Sequence, residues 1–309
     1  LSGYLQELTL RLSVGASRLS PEFRTRHAEW LKSRQRDDGG FAGREGESDP
    51  YYTSFALRTL WVLGELDSTI AEDAGIFLRR RMQKRDSIVD LMSLIFGAAI
   101  LEMAAGVVVI SDEDSQWRDN VAALLANLRT EDGGFAKTPE GRAGSTYQTF
   151  LSVLCHELME VPVPNVDEVL RFLAGQNQPD GGYREIRVAK RAGVNPTAAA
   201  IGSLKTLGHL DPAQQTDTIE FLLEMQGDEG GLAANTRIPF ADLLSSCTGL
   251  ITLVDLGAGS RIDAARLQSY AESMQRDGGF VGFALDQTPD VEYTFYGVAT
   301  MSLLQTLDL

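Results

Sequence analysis

The chain has 309 residues, 43% of them apolar, with a formal charge of −15 and two cysteines. That length and apolar content suffice for one large core, so a single domain over residues 1–309, with residues 1–20 as an N-terminal extension helix, is the simplest organisation. The acidic balance argues against nucleic acid as a partner, because phosphate backbones are held by clustered lysine and arginine, and Cys155 and Cys247, each inside an apolar segment, read as core thiols of a reducing, cytoplasmic setting.

Along the chain, helix-forming segments alternate in character. The first kind is amphipathic and runs up to a glutamine: residues 21–35, 67–83, 167–176, 212–226 and 262–275. In 167–173 the apolar residues recur three and four apart and Asp167 and Glu168 occupy the first turn, where the helix dipole favours acids. The second kind carries small or apolar residues on nearly every face: residues 51–63, 87–105, 146–158, 197–207, 242–256 and 292–307. Such helices are buried all round. Residues 91–110 hold one charge, Glu102, and are long enough for a membrane span. Their register in the repeat, with Gly97 and Gly106 as interruptions, places them on a buried inner helix instead. No basic-apolar-cleavage pattern opens the chain, and the start at Leu1 leaves a removed leader open.

Between the two kinds of helix an acidic residue, two glycines and a large apolar residue return five times: Asp38-Gly39-Gly40-Phe41, Asp132-Gly133-Gly134-Phe135, Asp180-Gly181-Gly182-Tyr183, Glu229-Gly230-Gly231-Leu232 and Asp277-Gly278-Gly279-Phe280. The last four copies stand 48 or 49 residues apart, and the first gap of 94 is two periods with a worn copy at residues 82–87. Six units of about 48 residues result. Periods of this length mean stacked or closed arrays in which each unit buries its apolar face against its neighbours. Six amphipathic helices alternating with six fully apolar ones predict an all-α, α6/α6 toroid, an inner ring within an outer ring. In the rival arrangement, an open superhelix, the two helices of a pair would differ less in polarity.

The repeated junction, as in Gln275-Arg276-Asp277-Gly278-Gly279-Phe280, resembles the repeats of protein prenyltransferase β subunits and, more distantly, of squalene and other triterpene cyclases. Residues 237–246 and 289–297 are the segments most similar to the β subunits. The resemblance implies an inner ring around an aromatic-lined cavity for an isoprenoid chain, a diphosphate held by basic side chains at the rim, a catalytic zinc, and a helical α subunit as partner. Carried over by position, the family's zinc aspartate is Asp242, its cysteine position holds Leu244, and its histidine position holds Tyr293. A lone carboxylate does not hold zinc tightly, so no cofactor is expected, and Asp242 and Tyr293 mark the reaction centre of a transferase without the usual metal. The two family cations correspond to Pro239 and Thr236, so Arg237 and the loop cations Arg184, Lys190 and Arg191 are the expected anion site, beside a solvated-loop reading of the same residues.

At the beginnings of the inner helices stand Tyr51, Tyr52, Phe55, Tyr147, Phe150, Phe295 and Tyr296. Aromatics at helical spacing pack cores, but so many at one end of a ring suit a polyene. The ligand expected is thus an isoprenoid diphosphate or another elongated apolar molecule. Three other functions stay open: a non-catalytic toroid scaffold or carrier, working with a helical partner or as a homodimer; a terpene cyclase, although the Asp-x-Asp-Asp motif is absent and Glu47-Ser48-Asp49 and Ser111-Asp112-Glu113-Asp114 do not match it; and a glycosidase using Asp49, Asp242, Asp290 or Glu292.

Overall fold

The computed structural model of the protein describes residues 3–82, 88–111 and 115–307. Residues 83–87 of the worn repeat copy at 82–87, and the acids Asp112, Glu113 and Asp114, lie outside the described residues. After α1 (Tyr4–Ala16), outer and inner helices alternate: α2 (Pro21–Lys32) and α3 (Pro50–Leu63), α4 (Ser68–Arg81) and α5 (Ile88–Ala105), α6 (Ser115–Asn127) and α7 (Thr146–Leu158), α8 (Val166–Gln176) and α9 (Val194–Thr206), α10 (Thr216–Glu224) and α11 (Leu243–Asp255), α12 (Ala264–Ser273) and α13 (Val291–Leu304). The inner helices α3, α5, α7, α9, α11 and α13 each pack on the next, and α13 packs back on α3, so the inner ring is closed. The toroid expected from the repeat is the fold, and the open superhelix is excluded.

Helix starts follow local chemistry. Asp49, Ser145, Asp242 and Asp290 cap four inner helices, each accepting a backbone N–H two or three residues on, an interaction whose loss typically costs about 1 kcal/mol. The fourth inner helix starts three residues earlier than the sequence indicates, at Val194. It tolerates Pro196 because first-turn N–H groups have no partner within the helix.

The glycine pairs hold one unit against the next. At Gly181 the backbone adopts φ +85°, and a Cβ there would fall 2.2 Å from the Asp217 carbonyl at the start of the following outer helix. Gly182 abuts Phe221 of α10 at 2.7 Å by the same construction, so only glycines admit this contact. In the last unit Gly278 and Gly279 meet Trp30 of α2, which closes the outer ring. After each pair, the N–H of the next residue is satisfied from an inner helix. Phe41, Phe135, Tyr183, Leu232 and Phe280 donate to Thr53, Thr149, Thr197, Ser246 and Thr294, at 2.8–3.0 Å.

α1 lies across the end of the inner ring where the inner helices finish. Its first N–H, on Tyr4, is accepted by the Glu157 carboxylate at 3.0 Å, in place of a side-chain cap of its own. The Tyr4 hydroxyl donates to Asp255 at 3.0 Å, and Asp255 also holds Arg11 at 3.2 Å and Lys205 at 2.6 Å. Gly15 admits the close approach of α1 to α13, since a Cβ there would lie 1.9 Å from the Ser302 carbonyl oxygen.

Candidate functional site

With one end of the ring covered by α1 and the other left open, a cavity of about 510 Å³ occupies the axis. Its mouth lies where the inner helices begin, at Tyr51, Tyr147, Glu185, Asn195, Leu244 and Glu292. Its wall descends past Phe55, Phe96, Phe150, Phe295 and Tyr296 to a floor formed by Tyr4, Leu5 and Leu8 of α1. The aromatic groups pack edge to face rather than fill the axis: Tyr51 on Phe55 at 5.0 Å between ring centres, Phe55 on Tyr296 at 5.6 Å, and Tyr4 on Phe150 at 6.0 Å. This surface offers apolar area and π faces to an elongated ligand.

The charged groups of the lining are few and sorted by depth. At the mouth, Glu292 accepts from the Tyr296 hydroxyl at 3.2 Å and from Tyr51, while burial pushes its carboxyl above the usual carboxylate range. Glu185 accepts from the Ser145 hydroxyl, and burial raises its carboxyl likewise. Two turns below the mouth Arg58 is the one cation of the lining among the described residues, and burial pushes its guanidinium down to about 10, still charged at neutral pH. Neither thiol is activated. Burial raises the Cys247 and Cys155 thiols to about 12, so both are protonated core groups.

Six of the seven aromatics read from the sequence line the cavity: Tyr51, Phe55, Tyr147, Phe150, Phe295 and Tyr296. Tyr52 turns instead onto Gly43 in the loop of its own unit. The expected cations are placed outside the lining. Arg184 donates to Gln176 at 3.1 Å and to the Gly175 carbonyl at 2.9 Å, Arg191 donates to Thr236 at 3.2 Å, and Lys190 and Arg237 are exposed. Asp242 and Tyr293 also stand beside the cavity rather than in its wall. One Asp242 oxygen accepts the Ser245 N–H at 2.7 Å and the other the Ser245 hydroxyl at 2.8 Å, which is what an N-cap requires, and Tyr293 packs on Gly282. Leu244, next to Asp242, brings a hydrocarbon to the mouth, and burial holds the Tyr293 phenol above its ordinary value and so protonated. This donor set does not fit a zinc ion.

Arg58 is a lining residue that the sequence reading missed. Its signal was present: it is the sole charged residue of α3, on a helix otherwise apolar or uncharged over its full length. The floor from α1 left no comparable trace, since an N-terminal extension outside the repeat has no register from which to place it.

Fold and cavity together define an α/α toroid with a hollow, aromatic axis open at one end. The chain belongs to the prenyltransferase alpha-alpha toroid domain family, whose profile matches residues 8–187 and 193–309. It is 24% identical over 222 residues to the geranylgeranyl transferase type-1 subunit beta of Arabidopsis thaliana; the match covers 65% of this chain and 57% of that relative's length. Among solved structures, protein geranylgeranyltransferase-I of Candida albicans, complexed with GGPP, superposes with a TM-score of 0.70 at 15% identity, covering 91% of this chain and 90% of that one. The type II terpene cyclase MstE of Scytonema, in complex with geranylgeranyl dihydroxybenzoate, gives 0.63 at 13% identity over 98% and 99%. Likeness at these identities shows the fold. None of the described helices is long and apolar enough to cross a membrane.

Proposed function

We propose that this protein is an isoprenoid-binding toroid of the prenyltransferase β-subunit class, taking a linear polyprenyl chain into the axis of its inner ring. The observation that carries the reading is the open cavity of about 510 Å³ lined by Tyr51, Phe55, Phe96, Phe150, Phe295 and Tyr296. A toroid kept only as a scaffold would gain by filling this axis with side chains, because unfilled apolar volume costs packing energy. Two structural neighbours support the same ligand class, one being a complex with GGPP and the other a complex with geranylgeranyl dihydroxybenzoate. In this reading the protein works without zinc, since Leu244 and Tyr293 replace two donors and the Asp242 carboxylate is engaged as a helix cap.

Arg184, Lys190, Arg191 and Arg237 on the mouth-side loops are proposed to meet a diphosphate outside the cavity while the chain enters it. Titrating the purified protein with farnesyl and geranylgeranyl diphosphates in a calorimeter tests the reading. It predicts saturable heat and a rise in melting temperature, and the absence of both would overturn it.

A second reading, a carrier that delivers the isoprenoid without transferring it, is favoured by the donor set at Asp242, Leu244 and Tyr293, which does not suit a metal that would make a thiolate of an acceptor thiol. Single-turnover incubation of labelled geranylgeranyl diphosphate with the protein and a mixture of thiol acceptors separates the two. Label released unchanged supports the carrier, and covalent transfer supports the transferase. A helical subunit resembling the prenyltransferase α subunit, or a second copy of this chain, is the proposed partner, in a cytoplasmic setting.

A further inference from the structure

Within its lining the cavity is acidic at the mouth, through Glu185 and Glu292, and cationic towards the floor, through Arg58. Arg58 sits two and a half turns below the Asp49 cap, roughly 13 Å down the helix at 1.5 Å per residue. Its residue is only 9% exposed, and its Nε and Nη2 have no hydrogen-bond partner. Phe295 and Phe96 face the guanidinium at 4.3 and 5.1 Å from their ring centres. Ring faces offset part of the cost of burying such a charge but accept none of its N–H groups.

Among the described residues no carboxylate pairs with Arg58. Asp255, the buried acid near the floor, is already shared among Arg11, Lys205 and the Tyr4 hydroxyl. Glu185 and Glu292 stand at the mouth. A buried cation with unmet donors, among the residues that line a cavity, is a receptor for an anion.

We propose that Arg58 receives the head group of a monoanionic amphiphile, a carboxylate, at the floor of the cavity, with the hydrocarbon tail of that molecule running up past Phe55 and Tyr296 to the mouth. The number of charges decides the class. One guanidinium matches one carboxylate through two parallel N–H donors, whereas a diphosphate taken to the same depth would leave most of its charge buried without a partner. Glu185 and Glu292 likewise discourage an anion from lodging in the upper part of the cavity itself, as distinct from the loop cations outside it. The isoprenoid nature of the tail rests on the function proposed above; the anion at the floor rests on Arg58 alone.

The test compares geranylgeranoic acid, geranylgeraniol, geranylgeranyl diphosphate and palmitic acid by calorimetry on the intact protein and on Arg58→Met and Arg58→Lys. Geranylgeranoic acid is expected to bind more tightly than the alcohol, and Arg58→Met to weaken the acid about tenfold or more and the alcohol by much less. Arg58→Lys, which keeps the charge and loses the fork, should lie between. A rise in melting temperature of unliganded Arg58→Met would show that the variant folds and that the charge is unpaired in the free protein.

Equal affinity for acid and alcohol, or an unchanged affinity of Arg58→Met for the acid, overturns the anion site and leaves the isoprenoid reading standing. A diphosphate that binds more tightly than the acid and depends on Arg58 overturns the monoanion assignment. Palmitic acid bound as tightly as geranylgeranoic acid, with the same dependence on Arg58, supports the anion site and overturns the isoprenoid tail. No binding by any of the four overturns both.

Discussion

The carbonyl oxygen of Gly278 lies 2.6 Å from Nδ1 of His27, 251 residues earlier in the chain. A carbonyl only accepts, so Nδ1 carries the proton and the imidazole is held neutral between the rings of Phe23, at 4.3 Å, and Phe280, at 4.8 Å. This contact joins the last unit to the first. Burial pushes the His27 pKa down to about 4.

The consequence is a pH-dependent seam. Between pH about 6.5 and 4 the unfolded chain protonates its histidine while the folded one does not, so this group's contribution to stability falls as pH falls through that window, by up to about 3 kcal/mol. Asp49, Asp242, Asp290 and Glu292, whose carboxyls burial raises, act in the opposite sense and gain stability as pH falls. The difference between wild type and His27→Gln isolates the seam. Denaturant titrations at pH 7 and 4.5 should show the wild-type advantage shrinking at the lower pH; an advantage that is constant or grows would refute a neutral buried His27.

The glycine elbows give a second prediction with an internal control. Gly181→Ala combines strain at φ +85° with a Cβ 2.2 Å from the Asp217 backbone, and should cost about 3 kcal/mol or more. Gly46 has φ +94° but nothing within 4 Å, so Gly46→Ala should cost only about 1–2 kcal/mol. Gly175, inside α8 with open space around it, should stabilise by roughly 0.5–1 kcal/mol when changed to Ala. Urea midpoints of the three variants check the order.

The hydroxyl bridge is tested by Thr294→Val, close to isosteric. Thr294 Oγ1 accepts the buried Phe280 N–H at 3.0 Å and donates to the Asp290 carbonyl at 2.7 Å. Valine leaves the N–H without a partner, at about 1–3 kcal/mol. Equal stability of the variant would show that another acceptor takes over.

α1 should act as a separable floor. Asp255→Ala removes the acid that holds Tyr4, Arg11 and Lys205. Because both cations are partly exposed, the loss should be about 2 kcal/mol, less than for a fully buried pair. Hydrogen exchange should localise it: faster exchange confined to α1 is expected, whereas uniform loosening of all inner helices would contradict a local role.

What the sequence disclosed depended on repetition. The spacing of Gly133, Gly181, Gly230 and Gly278 carries the count of units and the order of the helices, because only glycine meets both the backbone angle and the contact with the next helix. The mouth aromatics were legible for the same reason, through their place in each repeat. Tyr52 was not, since neighbours on a helix point in different directions and the phase of a helix within a ring is set by packing. The loop cations were legible as a group, but the partners Arg184 takes in Gln176 and Gly175 are a tertiary choice that charge counting does not reveal. The outer-helix aromatics Phe77, Phe172, Phe221, Tyr270 and Trp30, which meet the second glycines, were readable in register but have no meaning until the ring is seen.

The occupation of the ring axis by a hydrocarbon chain is tested most directly by narrowing it. Ala198 lines the cavity from α9, and Ala198→Trp places a ring in the lumen without touching the caps or the glycine elbows. Calorimetry of geranylgeranyl compounds at several temperatures should give binding with a negative heat-capacity change in the wild type, the mark of apolar burial, and none in a folded Ala198→Trp. Binding of equal strength in both proteins would contradict it.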